Sequence, residues 1–119
     1  MKKHQALAAL AALAQDNRLD VFRLLVQAGP EGMPAGRVAD ALKLAPNTLT
    51  FHFDRLRDAG LVTVRRDGRS MIYAARYETM NALLDYLTEN CCQGRPGQCV
   101  PGERVRASPA AVRRKEPVA

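Results

Sequence analysis

The chain has 119 residues, a formal net charge of +6, an ordinary apolar fraction of 47% and no tryptophan. That bounds it to one modest domain, small enough for a second copy to add useful burial, and its charge favours a polyanionic partner. No stretch reaches the roughly 18 apolar residues of a membrane span. The start, MKKHQALAALAALAQDN, lacks a clean cleavage site, and unpaired thiols suit a reducing compartment, so a cytoplasmic protein is expected.

Residues 4–15 carry leucines at 7, 10 and 13 among alanines, which predicts a helix with one apolar seam. Asp16 or Asn17 is placed to cap a second helix whose inward face would hold Leu19, Phe22, Leu25 and Val26. Ala28-Gly29-Pro30-Glu31-Gly32 ends it. A short helix follows over 34–44, with Val38, Ala41 and Leu42 inward, and Ala45-Pro46 breaks it.

Pro46 suits the first position of the next helix, predicted over 46–59, where Leu49, Phe53 and Leu56 repeat at i, i+4, i+7. Gly60 supplies its stop. Two short strands come next, one holding Leu61, Val62 and Val64 and the other Met71, Ile72 and Tyr73. Asp67-Gly68 between them predicts a two-residue type I′ turn. A last helix is expected over 77–90, with Met80, Leu83, Leu84 and Leu87 as its apolar face. The remainder, 100–119, is rich in Pro, Ala, Arg and Val without periodicity and reads as a disordered basic tail. Residues 101–119 hold five basic and two acidic side chains, so half of the net charge lies there.

Two short helices joined by a tight turn and followed by a charged hairpin predict a winged helix-turn-helix, mainly α with a small β-hairpin. On the helix over 46–59, Asn47, Thr48, Thr50, Phe51, His52 and Arg55 are left to face outward or sideways. Small polar groups at a helix N-terminus suit close approach to base edges and phosphates of double-stranded DNA. An outward Phe51 suits contact with a thymine methyl or packing on a neighbouring element. Arg65, Arg66 and Arg69 flank the hairpin turn, within reach of phosphates or a narrow minor groove. No phosphate loop, paired catalytic carboxylates or Cys-x-x-Cys motif points to an enzyme.

All three cysteines fall in one run, Cys91-Cys92-Gln93-Gly94-Arg95-Pro96-Gly97-Gln98-Cys99. Trivalent arsenic and antimony are soft and take three thiolates on one side, whereas zinc wants four ligands. Neighbours on a regular helix diverge by about 100°, so the pair can share an ion only if the helix ends near Asn90. Gly94, Pro96 and Gly97 can then turn Cys99 back. The other thiol chemistry open to the cluster is oxidation or persulfide formation, with Cys99 as the bridge partner, since a bond between adjacent cysteines is strained.

The stretch LAQDNRLDVFRLL and the stretch PNTLTFHFDRLRDAGLV resemble the ArsR/SmtB family of repressors, over about residues 5–92. The resemblance implies a homodimeric winged helix whose first and last helices form the dimer interface and which leaves operator DNA when a toxic ion binds. The helix GRVADALKLA lacks the cysteine site of the best-known arsenic-responsive members. ETMNALLDYLTEN offers Glu78, Asp85 and Glu89 but no histidine for the family's interfacial zinc site. CCQGRPGQC resembles the C-terminal three-cysteine site of an arsenite-responsive subgroup. The expectation is a DNA-binding and dimerisation domain over 1–92 and a sensor segment over 91–99 that needs no cofactor. Its inducer would be arsenite, and antimonite by the same chemistry, at Cys91, Cys92 and Cys99.

Overall fold

The computed structural model describes residues 1–94. The order is α1 (Lys3–Leu13), α2 (Asp16–Ala28), β1 (Met33–Pro34), α3 (Ala35–Leu42), α4 (Pro46–Asp58), β2 (Val62–Asp67), β3 (Ser70–Ala75) and α5 (Tyr77–Thr88). A 3₁₀ turn, Cys91–Gly94, follows. Met1–Tyr86 forms one compact unit, and a second unit begins at Leu87. In the first, α3 and α4 make the helix-turn-helix and β2 and β3 the wing, as the sequence predicts.

Each helix has a local cause, and several differ in detail from expectation. In α1 the buried residues are Ala6, Ala9 and Ala12, while Leu7 and Leu10 are 58% and 39% exposed. Small side chains let this helix lie close against α2 and α4, and the adjacent leucine seam turns to solvent. In α2, Gln15 rather than Asp16 or Asn17 is the cap, its side-chain oxygen accepting from the Arg18 N–H at 2.9 Å. Val21, Phe22 and Leu25 are buried there, and Leu19 is exposed. In α3, Ala39 takes the buried place expected of Ala41.

Helix α4 starts at Pro46 and ends in a Schellman motif. Gly60, at φ +77°, donates to the Arg57 carbonyl, and Leu61 donates to that of Leu56, each at 2.9 Å. Leu49, Phe53 and Leu56 lie at most 2% exposed, as their spacing predicts.

The sheet has the order β1-β3-β2, all antiparallel. The two-residue β1 has no legible signal in the sequence, because two residues carry no alternation. It pairs Met33 with Tyr73 and Pro34 with Ile72. Gly32 sits beside it at φ +77°, and a Cβ there would collide with the Tyr73 carbonyl, so glycine is required. In the wing, Val62 pairs with Ala75 and Asp67 with Ser70. The central turn residues are therefore Gly68 and Arg69, one position later than expected. Only Gly68 has positive φ, the signature of a type II′ turn rather than I′.

Phe53 of α4 stacks on Tyr73 of β3 with centroids 3.6 Å apart and ring planes 6° apart. Both rings are buried, so one contact fixes the wing strand against α4. The Tyr77 hydroxyl donates to the Val26 carbonyl at 2.8 Å and ties the start of α5 to the end of α2. Among the described residues no helix is long and apolar enough to cross a membrane.

Candidate nucleic-acid interface and cysteine segment

The outer side of α4 is built by elimination: once its apolar stripe is buried, the other residues must face away. Asn47, Thr48, Thr50, Phe51 and Arg55 are all exposed. No side chain caps the helix start, and Pro46 has no N–H. The first intrahelical bond runs from Leu49 to Ala45. The N–H groups of Asn47 and Thr48 are thus left for an outside acceptor, where the helix dipole favours an anion. Thr50 donates its hydroxyl proton to the Pro46 carbonyl at 3.0 Å, so toward a ligand it acts as an acceptor. The Arg55 guanidinium lies over the Phe51 ring, 5.1 Å from its centroid, which holds both side chains on one surface.

His52, expected to face outward or sideways as a DNA-contacting or core residue, takes the core place. It is 5% exposed and points inward, with Nδ1 3.5 Å from Nη1 of Arg18. Burial, and secondarily the Arg18 charge, holds its pKa below the usual histidine value. The reason is present in the pattern, since Leu49, His52, Phe53 and Leu56 together make the full i, i+3, i+4, i+7 face of a buried helix. So placed, His52 belongs to the buried face of α4 and not to its outer side.

At the wing, all three arginines are exposed and differ in how they are held. Arg65 donates to the Glu31 carbonyl at 3.1 Å, which ties the wing to the loop before β1. Arg66 folds onto the hairpin through the Gly68 carbonyl at 3.3 Å. Neither hydrogen bond nor ion pair among the described residues holds Arg69.

Sequence reasoning passes over Arg18. Besides the His52 contact, its Nε donates to the Ala12 carbonyl at 2.7 Å. A signal exists, because a cation in the first turns of a helix opposes the helix dipole and calls for another reason to be there. Exposed Arg37 on α3, Lys43 just after it and Arg57 on α4 also add positive charge that the sequence pattern leaves unassigned.

In the second unit, α5 stops at Thr88 and Asn90 has φ +59°. Asparagine tolerates that left-handed conformation and often ends a helix. Cys91 and Cys92 then lie in the 3₁₀ turn, half-buried, with Cys92 at φ +53°. The pair is therefore outside a regular α-helix, as shared coordination requires. Cys99 lies outside the described residues, and among these no three His, Cys, Asp or Glu side chains are grouped closely enough to hold a metal ion.

The comparisons agree with this architecture. Residues 13–65 match a helix-turn-helix domain family. The chain is 33% identical over 73 residues to the uncharacterized HTH-type transcriptional regulator YceK of Bacillus subtilis, covering 61% of this chain and 72% of that one. It is 31% identical over 88 residues to the HTH-type transcriptional regulator YgaV of Escherichia coli, covering 74% and 87%. The structure of reduced HlyU from Vibrio cholerae superposes with a TM-score of 0.58 at 25% identity, covering 76% and 92%. The homodimeric winged helix-turn-helix domain of Mb0332 from Mycobacterium bovis, a possible ArsR-family regulator, has the same fold at a TM-score of 0.59 and 24% identity, covering 73% and 81%. With its wing, its helix-turn-helix and these relatives, the chain belongs to the HTH-type transcriptional regulators and is not an enzyme.

Proposed function

We propose that the chain is a homodimeric repressor that binds operator DNA and lets it go when arsenite, or antimonite, bonds to Cys91, Cys92 and Cys99. The DNA half rests on one observation. The outer face of α4 offers Asn47, Thr48, Thr50, Phe51 and Arg55 beside a wing tip carrying Arg65, Arg66 and Arg69, with every member exposed. Arg55 and the wing arginines supply phosphate attraction, and the residues at the start of α4 supply base-edge contacts. The dimer half rests on the leucines left at the surface, Leu7 and Leu10 of α1 and Leu84 of α5. Mb0332, which shares the fold, is itself described as homodimeric.

The inducer half rests on the adjacent thiols in a turn. Arsenous acid condenses with three thiols: three As–S bonds form, three As–O and three S–H bonds break, and three waters leave without any change of oxidation state. Such a cross-link constrains the chain next to α5. It weakens DNA binding only to the extent that the ion binds the DNA-free form more tightly, typically by about 1–3 kcal/mol.

The test is release of a fluorescent duplex, taken from upstream of the protein's own coding sequence, as arsenite is added under reducing conditions. The expected result is release by the natural chain and none by a Cys91→Ser/Cys92→Ser variant that still binds DNA. Retention with arsenite but release with polysulfide or peroxide would move the sensor to thiol oxidation. The similar HlyU structure, described as reduced, makes that the second reading.

A further inference from the structure

His52 and Arg18 make a contact that DNA reading does not use. The Arg18 side chain begins on α2, reaches the Ala12 carbonyl at the end of α1 and touches the His52 imidazole of α4. The Ala12 carbonyl is one of those a helix end leaves without an intrahelical partner. One guanidinium therefore joins the helix that carries the exposed leucines to the helix proposed to read DNA. Resting on that reading, we propose that Arg18 is a positioning residue coupling α1 to α4, and that protonation of His52 uncouples them and weakens operator binding.

The chemistry fixes the sign. A guanidinium only donates, so Nδ1 of His52 must be unprotonated to accept, which places the ring proton on Nε2. Adding a second proton removes the acceptor and sets two cations 3.5 Å apart in a mostly buried place. Further charged and titratable groups on the helices packed there are exposed: Lys3 and His4 of α1, Asp16, Asp20 and Arg23 of α2, and Asp54 and Arg57 of α4 itself. The shared groove between α1 and α4 is lined by Ala8, Ala11 and Ala12 of α1, Arg18 of α2, and Arg55, Asp58 and Ala59. Asp58 is exposed and screened by water, as are Arg37, Asp40 and Lys43 of α3 and Arg65, Arg66 and Asp67 of β2. Arg18 is the charge that His52 feels. Because its folded pKa is lowered, the neutral, coupled form is complete above the ordinary value near 6.5 and is lost only as pH falls through that lowered pKa.

The experiment measures binding of the same upstream duplex by the full chain between about pH 7.5 and 5.5, for the natural protein, His52→Asn and Arg18→Lys. Urea unfolding at each pH confirms that each stays folded. The asparagine oxygen accepts from Arg18 and does not titrate. The natural protein should lose affinity progressively toward the acid end, as pH approaches the lowered His52 pKa. His52→Asn should hold its affinity, and Arg18→Lys should bind more weakly throughout. Parallel profiles for the natural protein and His52→Asn would overturn the proposal while leaving the DNA reading intact. Failure of the folded natural protein to bind at pH 7.5 would overturn the DNA reading, and the proposal with it. The coupling can also be measured without variants: by reciprocity the His52 pKa read by NMR must fall further when DNA is bound. An unchanged pKa would refute the coupling.

Discussion

In α4 the large apolar residues Leu49, Phe53 and Leu56 face the core and the small polar ones face out. In α1 the arrangement is inverted: alanines at 6, 9 and 12 face the core, and Leu7 and Leu10 face solvent. Both helices show an apolar repeat in the sequence. The difference lies in what covers the repeat. The stripe of α4 is covered by the same chain, through α2, α3 and the wing strand β2. The leucine seam of α1 is left over after the domain has folded. In the dimer proposed above a second copy covers that seam, and the distinction can be broken experimentally at each helix.

The largest effect is expected at the α4 stripe. Leu56 is fully buried, so Leu56→Ala should cost about 2–5 kcal/mol of stability, read from the urea midpoint. A loss below about 1 kcal/mol would mean that α4 is not central to the core. On α1, Leu7→Gln should leave the subunit folded and weaken self-association by about 1.5–3 kcal/mol for each leucine no longer buried. Sedimentation at micromolar concentration should show the natural protein as a dimer and the variant shifted toward monomer. A natural protein that sediments as a monomer would require a different partner for this face. Ala9→Leu tests the inner side. Ala9 is 0% exposed, so the added side chain should overpack the junction with α2 and α4 and cost about 1–3 kcal/mol in the same urea assay. A neutral result would show that α1 does not lie close.

These sites also show how much the sequence holds. The helix-turn-helix, the wing and α4 are legible because their periodic residues are large, their breaks fall at Pro46 and Gly60, and the chain covers its own stripe. The orientation of α1 is not, because Ala6, Ala9, Ala12 and Leu7, Leu10, Leu13 run in parallel at the same spacing. Periodicity finds the face to be buried and says nothing about which of two adjacent seams meets its own domain. His52 is legible in its position, as the fourth member of the α4 face, but its polarity conceals it. Its partner Arg18 lies 34 residues away, and no local pattern joins them. The sequence puts the hairpin turn one residue early because Asp67-Gly68 and Gly68-Arg69 both offer a glycine, and strand register decides between them. At the cysteines, the sequence carries the last helix to about Asn90, whereas α5 stops at Thr88, and Cys99 lies outside the described residues.

The turn between α3 and α4 allows the finest test, because it sets how α4 enters its inward and outward roles. Lys43 closes α3 at φ 56° and ψ 45°, a left-handed conformation that a side chain disfavours. It is held there because the Leu44 N–H reaches the Ala39 carbonyl at 3.0 Å. Lys43→Gly relieves that strain and also loosens the unfolded chain, which offsets part of the gain. The net expectation is a stabilisation of less than about 1 kcal/mol, seen as a small rise in the urea midpoint. Lys43 is also an exposed cation at the approach to α4. If it reaches a phosphate, the same variant should lower the salt dependence of DNA binding by about one counterion per protomer while its stability rises. Stability and salt slope would then move in opposite senses in one protein, which a purely structural role for Lys43 cannot produce.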